Sequence, residues 1–321
     1  MAHDVVMPAR RLNTSGLLIP QKSNIDPVSQ LRFILKPDAA IDWSGSIPVD
    51  TKIKPSKGID AHCRYFSHQR WMKGYFDHVH RDPAFRDRWT AALGDVTDKV
   101  VVEIGCGPGN LFSTLGIKPK ALIGIDVAAG ALEQARATGY EPLLADAHDL
   151  PLSSGVGDVV ILNATIHHCE YMDRVLEEAA RLVASGGLLV TDHDPQRSAY
   201  SFKGLGRWLW NARPTFYYWT KKGYHSSREE QAAVLASELH HRPGDGVTHE
   251  LFEKALRPLG FDFQIFPHNH RAGAEVLKGQ RGTSVLKCRI VQALSGMNPN
   301  APESALSLMC VARLPPAASR R

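Results

Sequence analysis

Three glycines spaced two apart, Gly105, Gly107 and Gly109, follow an acid in Glu103-Ile104-Gly105-Cys106-Gly107-Pro108-Gly109. Glycine lets a backbone turn tightly and approach a ligand without Cβ interference, and the amides exposed at such a turn suit an anionic group. A dinucleotide fingerprint would carry its third glycine one position later, and a pyrophosphate would be repelled by an acid such as Glu103. A ligand bearing both an ammonium and a carboxylate can use the amides and the acid together. Further along, Asp126, Asp146 and Asn163 each close a short apolar run. Such positions are the carboxyl ends of strands, where open α/β sheets bind ligands. His167 and His168 come shortly after Asn163, and His193 comes directly after Asp192. A histidine near its unperturbed pKa can take a proton at neutral pH, so His193 first and His167 second, with His168 beside it, are candidates to act as base or to position an acceptor. The competing reading is that all three are rim histidines whose hydrogen bonds orient loops. None forms an i, i+4 ligand pair with an accompanying acid, so no metal site is expected.

These residues need a scaffold. Apolar, β-branched runs at 100–104, 121–126, 142–146, 158–163 and 187–192 read as buried strands. Segments at 128–138 and 171–184, the latter closed by Gly186-Gly187, read as the helices between them. Near-continuous apolar strands alternating with helices imply an α/β fold, a doubly wound and mostly parallel sheet covered on both faces. Upstream, Tyr65, Phe66, Trp71, Trp89 and their neighbours recur at helical spacing across 60–93, with Asp82-Pro83 as a helix start. Tyr65, Phe66 and Trp71 are placed to close over a ligand.

The chain divides into an irregular arm (1–57), a helical lid (58–94), a core (95–196), an aromatic-rich irregular cap insertion (197–247) and a C-terminal completion of the sheet (248–321). In that last part, 249–259 reads as a helix, 261–266 and 305–314 as strands, and 267–303 as an insertion near the site. The stretch 202–224 interleaves Trp208, Trp210, Phe216, Tyr217, Tyr218, Trp219 and Tyr224 with lysines and arginines. It reads first as a lid packed on the sheet edge and next as a substrate cap lined by aromatic faces. Stacking on bases and a membrane-surface helix are lesser readings.

With 321 residues, 43% hydrophobic and 22% charged, the chain has the composition of a soluble globular protein. Its formal charge of +5 is spread along the sequence, which disfavours nucleic acid as a partner. Five scattered cysteines with no CxxC pair argue against a disulfide framework or structural zinc and suit a reducing compartment. No apolar run reaches the length needed to span a bilayer, so a cytoplasmic protein is expected. Oligomeric state is left open, a homodimer included.

The motif Glu103 to Gly109 resembles the first motif of class I S-adenosylmethionine-dependent methyltransferases, nearest the UbiE/type 11 group acting on small molecules, and the resemblance continues to about residue 194. It implies a Rossmann-like sheet of seven strands, the last antiparallel. It also implies S-adenosylmethionine as cofactor, gripped by Glu103, Gly105, Cys106, Gly107 and Gly109. Asp126, with Val127 beside it, would bind both ribose hydroxyls. Asp146 would lie on the adenine side, with the Ala147 amide toward the base, and Asn163 would face the methionine end. The implied activity is methyl transfer to an O, N or C atom of a small-molecule acceptor by in-line displacement. RNA or protein acceptors and a non-catalytic cofactor-binding regulator are the alternatives. Asn163-Ala164-Thr165-Ile166 stands where enzymes acting on planar base nitrogens carry an NPPY-type tetrapeptide.

Overall fold

The computed structural model describes residues 30–220 and 227–317. Its strands are β1 (Ile41–Asp42), β2 (Val49–Asp50), β3 (Val100–Ile104), β4 (Ala121–Asp126), β5 (Glu141–Leu144), β6 (Gly157–Asn163), β7 (Val183–Pro195), β8 (Asp262–His268) and β9 (Ser307–Arg313). Among the described residues they form one sheet of order β1-β2-β5-β4-β3-β6-β7-β9-β8. From β2 to β7 the neighbours are parallel, whereas β9 runs antiparallel to both β7 and β8. The expected seven strands are all present, and two short ones are added at the β5 edge.

Side chains alternate between the two faces, as a period of two requires. Val102, Ile104, Val160 and Leu162 pack on one side with Val175 and Leu176 of helix Met172–Leu182 and Phe252 of helix His249–Leu256. Val101, Ile161 and Val190 pack on the other side with Phe85 and Trp89 of helix Pro83–Leu93 and Leu132 of helix Ala129–Ala137. Helix Pro83–Leu93 starts as its sequence signals, with the Asp82 carboxylate capping the Ala84 amide and proline in the first turn.

Chain order reverses at β3, which lies between β4 and β6. This switch point leaves a crevice beyond the strand ends, and the parallel register brings Ile104, Ile125 and Leu162 level there. Opposite β9, β7 gains one residue between Thr191 and Asp194, and within this bulge His193 adopts φ +64°. A bulge re-aims a side chain, and this one turns His193 into the crevice.

Three segments differ from the sequence reading. The described part of the N-terminal arm is not wholly irregular: it forms helix Leu31–Ile34 and strands β1 and β2. The cap region, expected to be irregular, contains helices Gly204–Thr220 and Arg228–Ser237. Pro214 lies inside the first of these and hides it from a propensity reading, and Gln231 of the second donates from Nε2 to the Pro214 carbonyl, tying the two together. Helix Met172–Leu182 stops before Gly186-Gly187, because Val183 is already extended and the Gly186 amide pairs with Leu314. Among the described residues no helix is long and apolar enough to cross a membrane.

Candidate active site

The glycine loop closes on the end of β4. Gly105 and Cys106 amides donate to the Ile125 carbonyl at 2.8 and 3.0 Å. Asp126 then holds both sides of the turn, accepting from the Gly107 amide at 2.9 Å and the Ala128 amide at 2.8 Å. A carboxylate has about four lone-pair directions, so two remain for hydroxyls of a ligand.

Gly105 (φ +70°) lies so close to Thr165 that a Cβ would come within 2.5 Å of it. Gly107 (φ +52°) has nothing within 4 Å of such a Cβ, which would project into the crevice. Gly109 (φ +78°) instead backs onto Thr138 and Tyr140, and its missing Cβ serves packing against helix Ala129–Ala137.

Two adjoining cavities fill the crevice, sharing His62, Gly105, Asp126, Thr165 and His168. Val127, Asp146 and Ala147 line the first; Glu103, Cys106, Gly107, Asn163, His167 and His193 line the second. Gly109 lines neither.

In the first cavity the His148 amide and Nδ1 donate to Asp146 Oδ1 at 3.0 and 2.6 Å, while His148 Nε2 accepts from the Tyr171 amide. Burial opposes the charge on Asp146, but the His148 hydrogen bonds and Arg174 outweigh it and hold the carboxyl below its usual range. In the second cavity Glu103 accepts from the Tyr140 hydroxyl at 2.6 Å, and burial pushes its pKa up to about 8. Asn163 Oδ1 is buried there with no hydrogen-bond partner in the protein. Such an acceptor is costly to leave unsatisfied and is suited to a donor on a ligand. Ala164, next in sequence, sits at φ +52°, strain of the kind that gathers at binding sites.

The second cavity carries His62, His80, His167, His168, His193, His241 and His270 beside Tyr65, Phe66, Met72 and Tyr200. Burial keeps His62, His80, His167, His168, His193 and His270 below the usual histidine range, His167 at about 3, so these rings are neutral near pH 7. His167 Nδ1 pairs with Asp194 Oδ1 at 2.8 Å, and the His167 amide donates to the same oxygen at 3.0 Å. Burial raises the Asp194 pKa to about 8. Where Asp194 is ionised, His167 Nδ1–H donates to Oδ1 and Nε2 is the ring atom left with a lone pair.

His193 is built differently. Arg88 donates from Nη2 to His193 Nε2 at 2.8 Å, and guanidinium never accepts, so the neutral ring carries its proton on Nδ1. His193 stacks on His270 at 4.7 Å. Arg88, fully buried, also donates from Nε to Asp192 at 2.8 Å and from Nη1 to the Ala272 carbonyl. His268 Nε2 reaches the other Asp192 oxygen at 2.7 Å. Burial works against the charge on Asp192, but Arg88 and the nearby histidines hold it well below the carboxylate range. His168 is tied through Nδ1 to the Ser237 carbonyl of the cap at 2.8 Å.

The sequence reading missed Arg88, Asp194, Glu238, His241 and His270. Arg88 had a signal: it falls on the same helical face as Phe85, Trp89 and Ala92, all buried. Asp194 comes from the bulge and Glu238 and His241 from the cap, where no local pattern marks them, while His270 lies just after β8 in the stretch expected near the site. Of the aromatic candidates on the lid, Tyr65 and Phe66 line the second cavity, while Trp71 stacks behind Tyr65 at 5.7 Å. Among the described residues no group of three or more His, Cys, Asp or Glu side chains is arranged to hold a metal ion.

A glycine at the cavity wall, a doubly braced acid at the second strand end and an unsatisfied amide oxygen opposite fit a ligand with hydroxyls at its centre and an ammonium at one end. Fold and site together define a class I S-adenosylmethionine-dependent methyltransferase domain, whose cofactor is S-adenosylmethionine. Residues 102–191 match the type 11 methyltransferase domain family.

Among curated proteins, a fatty-acid O-methyltransferase of Mycolicibacterium smegmatis is 34% identical over 114 residues, 33% of this chain and 42% of that protein. A malonyl-[acyl-carrier protein] O-methyltransferase of Geobacter sulfurreducens is 32% identical over 129 residues, 34% and 48% of the two chains. A tRNA (carboxymethyluridine(34)-5-O)-methyltransferase of Arabidopsis thaliana is 34% identical over 95 residues, 28% and 23%. The chain thus spans less than half the length of each of these relatives. Among solved structures, an S-adenosylmethionine-dependent methyltransferase from Mesorhizobium loti superposes with a TM-score of 0.46 at 17% identity, covering 74% of this chain and 99% of that one.

Proposed function

We propose that this protein is an S-adenosylmethionine-dependent methyltransferase acting on a small-molecule acceptor, with the His167–Asp194 pair taking the acceptor's proton. The observation that carries the reading is the pair of joined cavities, with strand-end acids in one and a histidine-rich, aromatic-walled chamber in the other. Bound S-adenosylmethionine supplies an electrophilic methyl group on a sulfonium.

In this reading Asp126 binds the ribose hydroxyls and Gly105 and Gly107 give the nucleoside close access to the backbone. Asp146 and Ala147 flank the adenine, and Asn163 and Glu103 meet the ammonium. The lid aromatics Tyr65 and Phe66 and the cap residues Tyr200 and His241 exclude water from the second cavity. Holding acceptor and methyl carbon in line in a closed site supplies much of the rate. A hydroxyl acceptor would pass its proton to His167 Nε2 as its oxygen takes the methyl group, a protonated amine would do so before its nitrogen can attack, and Asp194 would balance the imidazolium. Asp–His pairs of this geometry act so in other enzymes. His193, the first candidate from sequence, is assigned to positioning: its Nε2 is occupied by Arg88, and Nδ1–H donates to the acceptor.

The test is release of S-adenosylhomocysteine against a panel of hydroxylated, carboxylated and amine-bearing small molecules, with transfer RNA as a parallel substrate. Turnover with a small molecule supports the reading. Turnover with RNA alone would overturn the acceptor class, and cofactor binding without turnover on any substrate would point to a regulator. Asp126→Ala is expected to weaken S-adenosylhomocysteine binding by about 1.5–3 kcal/mol in calorimetry, as loss of hydrogen bonds to a charged group implies.

A further inference from the structure

Helix Gly204–Thr220 and helix Leu286–Leu294 pack side by side, with Gly206 seated so closely on Val291 and Ser295 that a Cβ would not fit. Their inner faces bury Cys288 and Val291 against Tyr200 and Phe202, next to the second cavity. Their outer faces are apolar and uncovered. The first helix exposes Leu205, Trp208, Phe216 and Trp219, the last of these 75% exposed. The second exposes Leu286, Ile290 and Leu294, spaced four apart along one stripe, with Leu286 71% exposed. Within the two helices the charged residues are Arg207, Arg213, Lys287 and Arg289, and neither helix contains an acid. Lys203 precedes the first helix, and Lys203, Arg207 and Lys287 are exposed.

We propose that this face docks the protein on an anionic lipid surface, in the plane of the headgroups. The charge pattern selects the occupant. Docking of a second copy through the same face would bring like charges together, which a twofold interface disfavours. Nucleic acid could stack on Trp208, Phe216 and Trp219, but it would leave the aliphatic half of the face, Leu205, Leu286, Ile290 and Leu294, without a partner. A bilayer surface satisfies every part: aliphatic side chains enter the acyl boundary, tryptophans sit at headgroup depth, and lysines and arginines meet phosphates. The surface lies on the outside of the helix whose Trp210 packs on Tyr200 of the cavity wall.

The test is sedimentation of the full chain with vesicles of phosphatidylcholine alone and of phosphatidylcholine mixed with phosphatidylglycerol. The chain is expected to pellet with the mixed vesicles, to stay in solution with the neutral ones, and to shift its tryptophan emission to the blue on binding. Two variants separate the contributions. Trp208→Ser with Ile290→Ser removes apolar contact, and Lys203→Glu with Arg207→Glu and Lys287→Glu reverses the charge. Each is expected to lower the partition coefficient by roughly tenfold or more while circular dichroism stays unchanged. Three results overturn the proposal: no pelleting of the unaltered chain, equal partition of the charge-reversed variant, or equal pelleting with neutral vesicles. A concentration-dependent dimer abolished by Trp208→Ser would give the face to a second copy, and filter retention of transfer RNA abolished by the same change would give it to RNA.

Discussion

At the scale of single residues, the second cavity separates histidines by what their nitrogens already do. His193 Nε2 is taken by an arginine, His168 Nδ1 by a carbonyl, and His167 Nδ1 by a carboxylate. Once Asp194 is ionised, that last arrangement leaves a lone pair on Nε2 and a counter-ion behind it. The sign of its pH dependence follows from Asp194, whose burial raises its pKa to about 8, so the carboxyl is neutral below that pH and charged above it. His167 stays neutral throughout this range, with Glu238, His240 and His241 of the cap, His62 of the lid, His168 beside it and Asp192 of β7 as titratable groups facing the pair. Turnover of a hydroxyl acceptor is therefore expected to rise with pH and level off above about 8. Asp194→Asn is expected to remove that rising limb and to lower kcat by roughly 10²–10⁴-fold. A pH–rate profile of the variant that keeps its limb would deny Asp194 this part.

At the scale of elements, glycines of one motif do separate jobs. Gly107→Ala at φ +52° directs a methyl into open cavity, so beyond a strain of about 1 kcal/mol without overpacking the variant is expected to fold but bind S-adenosylhomocysteine about tenfold more weakly. Gly109→Ala places it against Ala135 of helix Ala129–Ala137 and against Thr138 and Tyr140 just beyond that helix, so the expected loss is of stability, about 1–3 kcal/mol, as backbone strain and overpacking imply. Chemical denaturation and calorimetry on the pair distinguish the two; equal effects in both assays would contradict the division.

Arg88 joins helix Pro83–Leu93, the bulge of β7 and the chain at Ala272 through one guanidinium. Arg88→Met leaves Asp192 buried without its cation, and a destabilisation of about 3–5 kcal/mol is expected in urea unfolding. A loss below 1 kcal/mol would show that the network relaxes without cost.

At the scale of the whole molecule, the cofactor crevice faces the strand ends while the apolar-basic surface lies on the outside of the cap helices. No residue exposed on that surface lines either cavity. Changes at well-separated positions act independently. The vesicle-binding variants are accordingly expected to keep their S-adenosylhomocysteine affinity within about twofold by calorimetry. A larger change would mean that the cap transmits its docking to the crevice. Vesicle association is also expected to fall steeply with added salt, because exposed charges are screened over a Debye length.

The amino-acid sequence was sufficient for seven of the nine strands described and for strand-end residues that line the crevice. Apolar runs of period-two strands, helix caps and glycine turns are local signals, each carried by adjacent residues. Gly105, Gly107, Asp126 and Asp146 could be picked out because a strand end places its last residue at the crevice whatever surrounds it. The hydrogen-bond partners of the histidines were decided by tertiary structure. Which nitrogen of His193 or His167 is occupied depends on Arg88 and on Asp194, and the latter is brought into place by a bulge that no neighbouring residue announces. The cap was likewise unreadable, because Pro214 contradicts a helix locally and packing against helix Leu286–Leu294 overrides it. Short-range preferences determine where strands and turns fall, but proton positions depend on partners distant in the chain, which only the folded arrangement supplies.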